Sequence, residues 1–358
     1  MVDNIVETIE ELIEERKIQK AEETINELLA KNPDNIIVLE QYAIILNELR
    51  QPVKCEEICN KILQINPESI IGKSEKALLC RVIRKFEEGL VLIDSCIKAE
   101  PNNEKFYYIK SFIYNSWGKH KNHLALKEVE AALNLNPSFD LALSLKGLIL
   151  AESQKYSQAL TYFDQAIAQN PKNPKNYNFK GLNYAFQEKF DLALSCYEKA
   201  FTLDPTFSVA IDNYGEVILK KTGIKSAIEW YKKALDVSVC NSHARVNLAD
   251  AYKRLGRNKE ALEEVELGIK YEPEYCWLHN LKGQILIEEK KYNEALEALK
   301  LAVEKYPSNV SFLTNLGWAY YYTQQYEDAI DNFNEALDIN AYYESANRGV
   351  NLCIEKLD

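Results

Sequence analysis

Residues 174–207 read PKNYNFKGLNYAFQEKFDLALSCYEKAFTLDPTF, and two helical periods are legible in them. Tyr177, Gly181 and Tyr184 share one face, and Phe190, Ala193, Leu194, Tyr197 and Ala200 share another, with the three- and four-residue spacing of amphipathic helices. Pro205 ends the second helix, because proline has no amide donor and restricts the residue before it. The same stop stands at Pro33, Pro67 and Pro101, 34 residues apart, then after one 36-residue step at Pro137 and Pro171, and again at Pro273 and Pro307. A period of this length marks one supersecondary unit copied along the chain, each copy unable to bury its apolar face without a stacked neighbour.

Laid in register, the prolines give ten copies: 2–35, 36–69, 70–103, 104–139, 140–173, 174–207, 208–241, 242–275, 276–309 and 310–343. Val239 and Ala341 stand where two prolines are missing. The eighth position of a copy is small in all but the first, which has Ile9: Ala43, Ala77, Ser111, Gly147, Gly181, Gly215, Ala249, Gly283 and Gly317. Glycine inside a helix costs about 1 kcal/mol relative to alanine, so its return at one phase implies a close helix approach. Asn35, Ser69, Asn103, Asn173, Asn241 and Asn309, two residues past the proline slot, are placed to cap the following helix.

The pattern resembles the tetratricopeptide repeat (TPR) family. The marks that carry it are the small eighth residue, alanine at the twentieth (Ala159, Ala193), an aromatic at the twenty-fourth (Phe163, Tyr197, Tyr231, Phe333), alanine at the twenty-seventh (Ala166, Ala200, Ala234) and proline at the thirty-second. They cover residues 2–343 and are weakest in the first three copies, where Ile25, Cys59 and Ile93 replace the aromatic. The resemblance implies an all-α, right-handed superhelical solenoid whose first helices line an inner groove. Residues 344–358 read as one further helix, with Ala346, Val350, Cys353 and Leu357 on a single face, placed to cap the last copy.

Composition narrows the function. The net charge is −11, and residues 1–35 hold ten acids (among them Asp3, Glu7, Glu10 and Glu11) against four bases, a solvated terminal face. Nucleic acid is disfavoured as a partner, since no cluster of Lys and Arg offers counterion release. The start carries no basic segment followed by an apolar run, and no apolar stretch approaches a membrane span, so a cytoplasmic protein without membrane insertion is expected. The eight cysteines show no Cys-x-x-Cys pair and read as free thiols, with Cys55, Cys59, Cys80 and Cys96 at buried positions.

No cofactor, metal or catalytic constellation is expected. Gly72-Lys73-Ser74 follows an inter-helix turn rather than a strand, which removes it as a phosphate loop. His120 and His123 sit at the two-residue expansion of the fourth copy without a third ligand, and His243 and His279 have no nucleophile to accompany them.

The groove carries the candidate site. At the ninth position, turned inward by the resemblance, the lining runs Ile44, Leu78, Phe112, Leu148 and Leu182, then changes to Glu216, Asp250, Gln284 and Trp318. Asn213, Asn247 and Asn315 recur at the sixth position, interrupted by Leu281, and an amide suits a peptide backbone because it both donates and accepts. Asn178, Asn280, Trp277 and Tyr322 complete the set, the aromatic residues as anchors. The Lys and Asn pattern of TPR co-chaperones that grip acidic C-terminal tails is absent. The reading is a non-catalytic scaffold, adaptor or assembly factor holding a peptide segment or partner helix in its groove; the alternative is a substrate-presenting accessory subunit of a separate enzyme such as a glycosyltransferase.

Overall fold

In the computed structural model, the described residues are Ile9, Leu12 and 18–358. Residues 2–8, 10, 11 and 13–17 of the first copy, the acids Asp3, Glu7, Glu10 and Glu11 among them, lie outside the described set. The described residues form twenty α-helices and one short 3₁₀ turn, with no strand among them. From residue 36 each copy is a helix pair, such as Pro174–Phe186 with Phe190–Leu203 and Val310–Tyr322 with Tyr326–Ile339. The 3₁₀ turn, Lys119–Lys121, takes up the two-residue expansion of the fourth copy, and His120 and His123 are both exposed there.

All six expected caps form. Asn35, Ser69, Asn103, Asn173, Asn241 and Asn309 each accept a bond from a first-turn amide, as from Gly72 to Ser69 at 2.9 Å and from Lys175 to Asn173 at 3.0 Å. A second signal precedes the proline: Asn66, Asn136 and Asp204 accept from the amide two residues on, which turns the chain before the next cap.

The glycine phase has a steric cause. A Cβ placed at Gly147, Gly181, Gly215 or Gly317 would lie within 2.5–2.8 Å of the ring at the twenty-fourth position of the same copy. Copies with alanine or serine at the eighth position carry a smaller partner: Ala43 with Cys59, Ala77 with Ile93, Ser111 with Val129, Ala249 with Val265. In the ninth copy the glycine faces a leucine instead, since a Cβ at Gly283 would collide with Leu299. The two helices of a copy are therefore matched in volume, glycine to a ring or a leucine and alanine or serine to a smaller side chain, as a close-packed interior requires.

The contacts divide the chain into two compact units, Met1–Cys240 and Asn241–Asp358. Within each unit a first helix packs on its own second helix and also on the first helix of the next copy, whereas successive second helices make no comparable contact. First helices crowd and second helices splay, so the first helices line the inner side of each unit. The last helix, Glu344–Leu357, lays Ala346, Gly349 and Cys353 against the ring of Phe333. Leu357 departs from the expected apolar face: it is 52% exposed, since the final turn extends beyond the copy it covers.

All eight cysteines are free thiols, six of them buried, among them Cys55, Cys59, Cys80 and Cys96. Cys55 and Cys59 lie 3.9 Å apart at sulfur, and their contact together with burial pushes the Cys55 thiol well above its ordinary value, which keeps it inert.

Candidate functional site

In the first unit the inner face is an apolar rib. Leu148 is buried against a core that Phe112 and Leu182 also contact, so these three ninth-position side chains, from consecutive copies, form one surface. Leu78 belongs to the adjoining cluster around Ile113. Beside the rib, Asn213 Nδ2 donates to Asn178 Oδ1 at 2.8 Å.

The second unit repeats that polar device. Asn315 Nδ2 donates to Asn280 Oδ1 at 2.9 Å. In both cases the fifth residue of one copy meets the sixth of the next, 35 positions on. The expected stack of sixth-position amides is thus organised as pairs. Each pair uses one N–H and one carbonyl oxygen and leaves three N–H groups and one carbonyl oxygen unpaired within it, whichever way the amides are oriented, on residues that are buried apart from the half-buried Asn315. Asn247 instead sits 3.4 Å from His243 Nδ1.

The other expected groove residues of the second unit are divided in their use. Asp250 pairs with Lys253 at 3.5 Å and with Arg254 at 3.8 Å, and the Lys253 ammonium also donates to Gln284, which ties down both ninth-position polar groups. Trp277 is 39% exposed and meets Phe312 edge-on at 4.8 Å. Trp318 donates its indole N–H to Ser345 at 2.9 Å and joins Tyr321, Tyr322 and Phe333 in an aromatic cluster. Tyr322, 41% exposed, stacks on Tyr292 at 4.9 Å.

The sequence reading missed the most unusual part of the first unit. Lys175, at the start of the sixth copy, reaches Glu48 at the end of the second copy's first helix, at 2.8 Å across 127 residues. The inner face has curved far enough within this unit for its lining to meet itself. Near that bridge Asn47 donates to the Glu75 carboxylate at 2.7 Å, and burial raises the Glu75 carboxyl to about 7, with the Glu48 charge adding to the effect. The Arg81 guanidinium lies 4.1 Å from the centre of the Phe112 ring, and Tyr108 packs between Phe112 and Phe139. Arg81 is the twelfth residue of its copy and Tyr108 the fifth, one turn from the ninth positions already singled out. Helical spacing alone would have added them.

Among the described residues no group of three His, Cys, Asp or Glu side chains is close enough to hold a metal, and no helix is long and apolar enough to cross a membrane.

Comparison with known proteins agrees with this architecture. Residues 108–213 match the profile of the Psidin N-terminal TPR repeats region, and residues 242–275, 278–309 and 310–343 match tetratricopeptide repeat profiles. The chain is 30% identical over 128 residues to the protein CTR9 homolog of Arabidopsis thaliana, covering 34% of this chain and 12% of that protein. It is 24% identical over 178 residues to anaphase-promoting complex subunit 3 of Schizosaccharomyces pombe, covering 50% of this chain and 27% of that one. It therefore spans no more than about a quarter of either relative. Among solved structures, the APC/C hetero-tetramer Cut9-Hcn1 superposes with a TM-score of 0.58 at 15% identity, over 96% of this chain and 74% of that one.

Proposed function

Because the chain belongs to the tetratricopeptide repeat family, whose helix pairs it repeats along its length, we propose that it is a non-catalytic scaffold that holds an extended peptide segment of a partner protein against its first helices. The observation that carries this reading is the twice-built asparagine pair, Asn178 with Asn213 and Asn280 with Asn315, set on the inner side of each unit. A backbone presents alternating C=O and N–H groups, and each pair retains the complementary N–H and C=O. The apolar rib of Phe112, Leu148 and Leu182 offers the partner side chains a surface to cover, and Trp277 and Tyr322 offer exposed rings in the second unit. The working place we assign is the cytoplasm, with protein rather than nucleic acid or lipid as the partner class.

The test is affinity capture from the host followed by mass spectrometry, with wild type and the Asn213→Ala/Asn247→Ala double variant side by side. Proteins retained by wild type and depleted by the variant, with stability reduced by no more than about 1 kcal/mol, are the expected result. Equal retention would remove Asn213 and Asn247 from the binding surface, and a transferase as the dominant retained protein would favour the accessory-subunit role.

A further inference from the structure

Arg81 has no acidic partner. Its Nε is sealed from solvent without a hydrogen-bond acceptor, its guanidinium lies 4.1 Å from the centre of the Phe112 ring, and no carboxylate among the described residues pairs with it. Buried cations are ordinarily paired, because desolvating an isolated charge is expensive. Here burial and the repulsion of Arg50 pull the guanidinium down to about 10, so the charge is retained at neutral pH and left uncompensated. Tyr108 is enclosed beside the same ring, and among the described residues none hydrogen-bonds to its hydroxyl.

The neighbouring carboxylates are already spent. Glu48 is held by Lys175 at 2.8 Å, Glu75 accepts from Asn47 at 2.7 Å, and Asp140 accepts from Asn173 at 2.7 Å and from Asn176 at 3.0 Å. What remains facing the groove is a set of donors, Arg81 and Tyr108, with Arg50 adding positive charge. The apolar lining continues on both sides, through Leu78 in one direction and Leu148 and Leu182 in the other.

We propose that Arg81 and Tyr108 form an anion pocket on the inner face of the first unit, and that it takes the side-chain carboxylate of an aspartate or glutamate lying within an extended, otherwise apolar peptide segment. This rests on the peptide-groove reading and sharpens it by naming the residue the segment must carry. An internal acid fits better than a chain end, since a segment that stopped at Arg81 would leave the lining on one side uncovered. A guanidinium accepts a carboxylate through two parallel N–H bonds, and a phenol O–H supplies a third.

The probe is an acetylated, amidated nonapeptide library of small and apolar residues with its central position fixed as Glu, compared with the same library fixed as Gln and with a Gln library ending in a free carboxylate. Binding to the full chain is followed by calorimetry. The expected result is about 10-fold tighter binding of the Glu library than of the Gln library by wild type, falling below about 3-fold in Arg81→Gln and partly in Tyr108→Phe. Circular dichroism melts check that both variants fold, and Tyr108→Phe keeps the aromatic wall where Arg81→Gln fails to fold. Equal binding of the Glu and Gln libraries overturns the pocket while leaving the groove intact. Preference for the free-carboxylate library overturns the internal-acid assignment, and binding of none of the three overturns both the pocket and the groove.

Discussion

Gly181 lies so close to Tyr197 that an added Cβ would come within 2.5 Å of ring carbon Cε1. The two belong to opposite helices of one copy, so the missing methyl sets how near the helices approach. Alanine is the better helix former by about 1 kcal/mol, yet Gly181→Ala is expected to destabilise by about 1–3 kcal/mol, because the ring has nowhere to move. Adding Tyr197→Val reproduces the Ala249 and Val265 combination found in the eighth copy. The double variant should lose less stability than the two single losses combined, as measured by urea unfolding. Strict additivity would show that the residues are not coupled.

The turn between the two helices of a copy holds the backbone in the left-handed region at Arg50, Arg84, Gln154, Glu188, Lys290 and Gln324, with Gly256 at the same place in the eighth copy. This is the position after a helix end that glycine fills without strain. Glu188→Gly, at an exposed site with φ 57°, should raise stability by about 0.5–1 kcal/mol. A lowered melting temperature would mean that the Glu188 side chain contributes more than its backbone costs.

Asn183 is fully buried, and neither its Nδ2 nor its Oδ1 has a hydrogen-bond partner. The same position in neighbouring copies holds Ile149 and Val217. Asn183→Val should therefore stabilise by about 1–2 kcal/mol, since it removes an unpaired polar group from the interior. Loss of stability in chemical denaturation would show that the amide is satisfied.

Burial raises Glu75 to about 7 and shifts Glu152 upward as well, against about 4.3 for a free glutamate. Between those values the folded chain holds protons that the unfolded chain has released. Stability is therefore greatest below the unfolded value and falls as pH rises toward 7, by at most about 1.4 kcal/mol per pH unit for each group. Glu75→Gln removes one such contribution. Its stability relative to wild type should rise between about pH 5 and about pH 8, and a constant difference across thermal melts would contradict the raised carboxyl.

What could be read from the chain was whatever repeats locally. The helix pairs, the caps at Ser69 and Asn309 and the small eighth residues each depend on chemistry within a few residues, and recurrence made them legible. Contacts between copies were harder. The Asn178–Asn213 pair needs a register of 35 residues, one more than the repeat, because the fifth position of one copy faces the sixth of the next. Lys175 meets Glu48 through curvature accumulated over four copies, a quantity that no single residue encodes. Helical spacing places Arg81 one turn from a ninth position, but its lack of an acidic partner depends on contacts between copies, which no local pattern encodes.

The central claim is that the inner, first-helix side of each unit is the binding surface. A photo-crosslinking amino acid placed in turn at Leu182 and Trp318 on the inner side, and at the half-exposed Leu192 on a second helix, tests it directly when the full chain is irradiated with its captured partner. Adducts at Leu182 and Trp318 and none at Leu192 are the predicted result; adducts confined to Leu192 would contradict it.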